Sequence, residues 1–308
     1  MPQLTNFKTF PEFSKLTLND REAYEALIKD FPPVADISFR SLITWCNPLN
    51  NLGISLLNDN LIIPYWIPGD EYNSGLALVG TNKIDETICT IFDYLREKGE
   101  PVRLVNVPYF VLDHVRYPEL FNFKEDRDFF EYIIDPHKFY PLENMTGFRR
   151  RKVERQLKEL EPKGIVVRSL DLGAEDDLRL LLDTADACLG KNINNLGKVE
   201  RDAMFEAILN ARILDIENVC LFVGGELQGF CLYQYSRDGE YAMIAHIKAV
   251  HDSLLRYELI ACLFSKWFIE KGVRYVNINS DVGLLRLRMF MLTLGPVNFF
   301  RKYRVEPA

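Results

Sequence analysis

The sequence predicts an α+β protein built as two mixed-sheet domains in tandem. Three observations predict it. Short apolar runs bounded by turn residues alternate with amphipathic stretches along all 308 residues. The order strand, strand, strand, helix, strand, closed by a further strand, occurs twice; the second copy adds a helix before that last strand and has one strand and two helices in front. A segment with two prolines and a glycine, DPHKFYPLENMTG at 135–147, stands between the copies. The division expected is therefore 1–137 and 138–308. A hairpin meander that feeds a β-α-β crossover gives a mixed sheet covered by helices.

The elements follow in order. A first helix starts near Leu18, capped by Thr17 or Asn19, and stops at the FPP of 31–33, because proline cannot continue it. SFRSLITWC reads as a short second helix. LGISLL and LIIPYWI, separated by NDN, read as a hairpin, with Pro64 marking an edge or a bulge. SGLALVG is a third strand. KIDETICTIFDYLREKG is a helix: Ile84, Ile88, Ile91 and Leu95 recur every three or four residues and Gly99 ends it. VRLVNVP and FFEYIID close the first copy as strands. In the second copy GIVVRSL is a strand, and AEDDLRLLLDTADACLG is a helix with acids at its start, where the helix dipole favours them. KVERDAMFEAILNARIL is another helix. NVCLFVG, LQGFCLYQYS and EYAMIAHIKAV are strands joined by hairpin turns at Gly224 and at RDG, 237–239. SLLRYELIACLFSKWFIEKG is a long helix ending at Gly272. RYVNINS is a strand, GLLRLRMFMLTLG a helix and VNFFRKYRV the last strand.

Composition narrows the function. With 48% hydrophobic residues a real core is feasible. The net charge of -7 argues against wholesale binding of nucleic acid or anionic lipid. No Cys-x-x-Cys pair occurs among the six cysteines, and His114, His137 and His251 show no metal spacing. No metal is expected. Cysteines placed as small hydrophobes, and a start without a signal-peptide pattern, suggest a reducing cytoplasm. No run of about 20 apolar residues spans a membrane.

One stretch runs against the acidic balance. Six of the ten residues from Arg149 to Lys158 are basic. On a helix Arg151, Arg155 and Lys158 share one face, while Val153, Leu157 and Leu160 form a core stripe elsewhere. Glu154 can pair with Lys158 and Glu159 with Arg155. A solvated, partly ion-paired helix is one reading. The other is a phosphate-binding edge made by Arg149, Arg150, Arg151, Lys152 and Arg155, helped by free N–H groups of the first turn.

The order of elements looks like the GNAT acyltransferase fold, used twice. FYPLENMTGFRRRKVERQLKEL is similar to the stretch that opens the second half of the phosphatidylglycerol lysyltransferase C-terminal-domain family, where a leucine, a glycine and a basic run begin a helix. FKEDRDFFEYI resembles the segment just before it. NINSDVGLLRLR resembles the family's N-x-x-x-D-x-G…L-R stretch near the C-terminus. The resemblance covers nearly the whole chain. It implies a tandem GNAT protein akin to enzymes that move an aminoacyl group from aminoacyl-tRNA to a lipid or a peptidoglycan amine.

Three functions fit this picture. The first is an acyl- or aminoacyl-transferase acting on an amine, its donor an aminoacyl-tRNA held by the basic patch and its acceptor a small-molecule or peptide amine. The second is an N-acetyltransferase using acetyl-CoA. Such enzymes hold pyrophosphate on a glycine-rich loop ahead of the long helix. The equivalent stretch here, VHDSLLRYE, has no glycine and carries Asp252; VGTNKIDE in the first copy has Gly80 but no second glycine. The third is a binding module without catalysis.

For the first function the candidate residues lie on two strands and a helix of the second copy. His246 and Lys248 share one side of a strand; His246 is either a packed core histidine or a general base. Asn277 and Asn279 share a strand face and Asp281 follows. Asp281 is either an N-cap or the group that orients a substrate ammonium, and with His246 it forms the catalytic pair expected. Lys248, Asn277, Asn279, Arg286 and Tyr303 are the substrate-binding candidates, with Arg288 beside them.

Overall fold

The computed structural model describes residues 7–46, 53–67, 70–189, 195–250 and 255–308. Two short strands come first, β1 (Lys8–Thr9) and β2 (Ser14–Lys15). Thr17 then donates its N–H to the Asp20 carboxylate at 2.8 Å, which starts the turn leading into α1 (Arg21–Ile28). α2 (Phe39–Cys46) precedes the meander β3 (Gly53–Leu57), β4 (Asn60–Ile67) and β5 (Asp70–Val79). Pro64 sits in β4, which is interior, and the register slips between Tyr65 and Ile67, so the proline marks a bulge and not an edge.

α3 (Ile84–Lys98) buries Ile84, Ile88, Ile91 and Leu95 as its spacing predicts, and Gly99 ends it at φ +68°. β6 (Leu104–Pro108) and α4 (Tyr109–Leu112) follow, then β7 (Phe121–Glu125), a strand the sequence pattern does not announce. β8 (Glu131–Ile134) is buried throughout. α5 (Gly147–Leu160) is the basic helix, with Val153, Gln156 and Leu160 turned inward.

β9 (Ile165–Arg168), α6 (Glu175–Leu189) and α7 (Asn195–Leu209) lead to β10 (Glu217–Val223), β11 (Glu226–Tyr235) and β12 (Tyr241–Ala249). α8 (Tyr257–Glu270) then crosses back to β13 (Tyr275–Asn277), and α9 (Leu285–Thr293) follows. The expected last strand breaks at Arg301 into β14 (Asn298–Phe300) and β15 (Lys302–Pro307).

The chain forms two compact units. The first holds residues up to Tyr132 together with Ser280–Thr293 and Phe299–Ala308; the second holds Ile133–Asn279 and Leu294–Asn298. This differs from a simple cut at 137/138, because the end of the chain counts with the first unit. The sheets give the reason. The first runs β1-β3-β4-β5-β6-β15-β7, with β2 also on β3. The second runs β14-β8-β13-β12-β11-β10-β9. Thus β8, from the first half of the sequence, pairs in the second sheet, and β15, from the far end, pairs in the first.

Both sheets are mixed. β5 runs parallel to β6, and β12 parallel to β13, while the meanders are antiparallel. These are the two GNAT-like mixed-sheet units that the repeated element order predicts. In the second unit Val219, Leu221, Tyr233, Ala242 and Ile244 form one apolar sheet face with Val153 and Leu160 of α5 and Leu259, Ile260 and Phe268 of α8. Alternation turns Leu232 and Phe230 to the other face, and α6 and α7 pack on β11 and β12.

Candidate functional site

In the second unit β12 and β13 pair over three residues only, ending at Met243 opposite Asn277. β12 then runs on to Ala249 while β13 stops. The strands part here, and side chains cluster at the parting. Asn277 is fully buried, and its Oδ1 accepts the Asn279 N–H at 3.0 Å. Asn279, at φ +62°, returns its Nδ2 to the Ile244 carbonyl at 2.8 Å. A left-handed asparagine costs little because its short side chain bonds locally. Asn279 thereby takes the place of the next rung of the ladder.

A bulge decides where His246 points. His246 stands opposite Leu232, whereas Ile244 stands opposite Tyr233, so Ala245 is the extra residue. The bulge turns His246 and Lys248 to the Leu232 side, away from the face of Ile244. Asn277, beside Met243, lies on that side too. His246 is buried, and Lys248 pairs with Glu200 of α7 at 2.5 Å. His246, Lys248 and Asn277 therefore share a sheet face, with Asn279 at its end. Glu200 escapes sequence reasoning, since it is 48 positions from its partner.

The basic helix is more committed than its sequence suggests. Arg150 pairs with Glu154 at 2.6 Å, and not Glu154 with Lys158. Lys152 reaches Glu258 in the first turn of α8 at 2.8 Å. Burial alone would raise the Glu258 carboxyl, but Lys152 and the backbone N–H hold it below its ordinary value. The first turn of α8 thus carries an ion pair to α5, and Arg256 as its N-cap gives no side-chain cap bond. Arg149 is half-buried, and Arg151 and Arg155 are exposed. His251 and Asp252 lie outside the described residues.

The glycine-containing loop of the first unit is likewise filled. Asn60 is fully buried; its Oδ1 accepts the Asn82 N–H at 3.0 Å and its Nδ2 donates to Asn82 O and Thr87 Oγ1. Asp85, in the first turn of α3, accepts N–H groups of Arg116 and Tyr117. Loop and helix start are closed by their own side chains.

Asp281 belongs to the first unit, whereas His246 belongs to the second. Asp281 does not cap α9, which begins at Leu285. It makes a turn ahead of the helix, accepting Gly283 N–H at 3.0 Å on its side chain and Leu284 N–H on its carbonyl. Its fully buried carboxylate also receives Arg288 Nε at 3.0 Å and Nη2 at 2.7 Å, and the Tyr132 hydroxyl. Arg127 stands 3.4 Å off, its guanidinium about 5 Å from the rings of Tyr132, Phe130 and Phe299. Burial would raise this carboxyl, but the bonds from Arg288, Tyr132 and Gly283 hold it below its usual value. Arg288 also bonds Asp128 at 2.5 Å. Arg286, the neighbour expected to line a cleft, is exposed, and Tyr303 is half-buried on β15 opposite Val107 and Glu125. Arg127, Asp128 and Tyr132 lie within FKEDRDFFEYI, whose family resemblance gives them no role, and Tyr132 is 149 positions from Asp281.

Among the described residues no helix is long and apolar enough to cross a membrane, and no group of three or more His, Cys, Asp or Glu is placed to hold a metal.

Residues 56–284 match the family described as phosphatidylglycerol lysyltransferase, C-terminal. No curated protein matches in sequence. Among solved structures, a conserved protein of unknown function from Bacteroides thetaiotaomicron superimposes with a TM-score of 0.75 at 21% identity, covering 96% of this chain and 99% of that one. The L-PGS of Bacillus licheniformis gives 0.58 at 16% identity, covering 98% and 94%. FemX gives 0.53 at 12% identity, covering 96% and 97%. These structures share the fold.

Proposed function

Since the chain belongs to the phosphatidylglycerol lysyltransferase C-terminal family, we propose that it transfers an activated acyl group, carried as an aminoacyl ester on tRNA, to an amine. The observation that carries this reading is the parting of β12 from β13 beside buried polar groups, in a chain of that family. Beyond Met243 the edge of β12 no longer pairs with β13, and its backbone faces an acyl carbonyl there.

In the reaction His246 takes a proton from the acceptor ammonium. The freed amine attacks the ester carbonyl, the oxyanion rests on backbone N–H groups, and the tRNA 3′ oxygen leaves with a proton. Lys248 and Asn277 orient the substrate on the same sheet face, and Asn279 keeps the strands apart. Asp281 positions the segment that follows β13 without touching the reacting atoms. Arg286 and Tyr303 fall in the other unit and are assigned no step. Arg149, Arg151 and Arg155 supply the phosphate contacts, while Arg150 and Lys152 are held by Glu154 and Glu258. Acetyl-CoA as donor is disfavoured by the glycine-free stretch VHDSLLRYE ahead of α8, where pyrophosphate would need close backbone N–H groups.

The test is filter binding of a mixed aminoacyl-tRNA pool at two salt concentrations, with acetyl-CoA as competitor. Wild type should bind in a salt-sensitive way that acetyl-CoA does not relieve. Arg151→Glu with Arg155→Glu should weaken binding, and the salt slope should fall by about one for each lost phosphate contact. Equal affinity in that folded variant would sink the tRNA reading.

A further inference from the structure

A second cluster of polar groups lies in the first unit, where β5 and β6 part. Their register ends at Leu76 opposite Leu104, and Asn106 lies two residues beyond. Asn106 has φ +51° in the middle of a strand, where the facing strand β15 slips register between Tyr303 and Val305. Its side chain is 97% buried by residue exposure of 3%. Nδ2 donates to Asp36 Oδ2 at 2.9 Å, and Oδ1 has no hydrogen-bond donor among the described residues. A buried acceptor left without a donor is costly, so this one invites a ligand that brings N–H or O–H.

The surroundings say which. Lys302, fully buried, is bonded to Asp36 Oδ1 and stands 3.3 Å from Glu131 Oε1. Glu131 also accepts the N–H groups of Ala35 at 2.8 Å and Asp36 at 3.2 Å. Lys302 thus faces two carboxylates and has little left for an anion. Asp36 keeps lone pairs on both oxygens, and a quarter of its side chain reaches solvent. The corner therefore presents acceptors only: the buried Asn106 Oδ1 and, bonded to its Nδ2, the partly exposed Asp36 carboxylate. An ammonium, with three donors and a charge opposite to the carboxylate, matches both.

We propose that the Asn106–Asp36 corner of the first unit binds a small primary ammonium, separately from the chemistry assigned to the second unit. Binding does not depend on transfer, so it stands or falls apart from the proposed reaction. The test is calorimetric titration of the full chain with methylammonium and ethanolamine, against ethylene glycol as a neutral control. Both amines should saturate in the millimolar range and the glycol should not. Asn106→Gly keeps the left-handed backbone comfortable and removes the acceptor, so the variant should stay folded and bind about tenfold or more weaker, the worth of one hydrogen bond to a charged group. A crystal soaked in ethanolamine should place its nitrogen within hydrogen-bond distance of Asn106 Oδ1. Absence of saturation, unchanged affinity in Asn106→Gly, or only a water at Oδ1 in the soaked crystal would each overturn the proposal.

Discussion

Arg288 binds two carboxylates, and their unequal surroundings predict unequal costs of removal. Asp281 is fully buried and receives two Arg288 nitrogens, the Gly283 N–H and the Tyr132 hydroxyl. Asp128 is 41% exposed and receives one Arg288 nitrogen. Breaking a buried ion pair by deleting one partner costs about 3–5 kcal/mol. Here Arg288 keeps Asp128, and Arg127 Nη2 still donates to the Tyr132 hydroxyl at 2.8 Å, so neither is stranded. The expected cost of Asp281→Ala is therefore about 3 kcal/mol. Asp128→Ala should cost under about 1 kcal/mol, as for a solvent-screened pair.

Denaturant unfolding of both variants at neutral pH reads the difference. The pH dependence adds a second check. The Asp281 carboxyl is depressed in the folded protein, so its ionisation stabilises fully above the unfolded carboxylate value. That contribution is lost as pH falls through the folded value. The advantage of wild type over Asp281→Ala should thus shrink below about pH 4. Equal costs for the two alanine variants, or an advantage that grows on acidification, would refute the reasoning.

Three further outcomes follow from single contacts. Gly80→Ala puts a Cβ 2.1 Å from the Oδ1 of fully buried Asn60, which three hydrogen bonds hold in place, so unfolding should become easier by about 2 kcal/mol or more. Lys152→Met removes the partner that lowers the Glu258 carboxyl; that group should titrate at higher pH in carboxyl-resolved NMR, with a stability loss of about 1 kcal/mol by chemical denaturation. Burial pushes the thiols of Cys188 and Cys262 up to about 11 and Cys220 up to about 12, so iodoacetamide at mildly alkaline pH should label exposed Cys89 ahead of all three, as peptide mass mapping would read.

The legible parts of this protein are the local ones. The three- and four-residue spacing of Ile84, Ile88, Ile91 and Leu95 marks a buried helix face whatever it packs against. The inward stripe of α5 at Val153 and Leu160 is read in the same way. The strand face shared by His246 and Lys248 survives the bulge at Ala245, because both residues lie beyond it. Charge partners are less legible. Glu154 has two arginines and a lysine within helical reach, and spacing alone does not choose Arg150. Phe121–Glu125 escaped because its outward residues are polar and it borders a second short run, so its period of two is brief.

Amino-acid order alone determined the helices, the meanders, the paired mixed sheets and the candidate strand residues. Each depends on neighbours within a few positions, through backbone hydrogen bonding and side-chain periodicity. Tertiary structure alone decided which sheet receives β8 and β15, and with them which charges meet. Lys302 finds Asp36 across 266 positions, and Asp281 finds Tyr132 across 149. A short strand such as EYII, buried along its whole length, has no solvent-facing side to fix its place. Its neighbours are chosen by the packing of the finished sheet, and its buried Glu131 meets Lys302 only then.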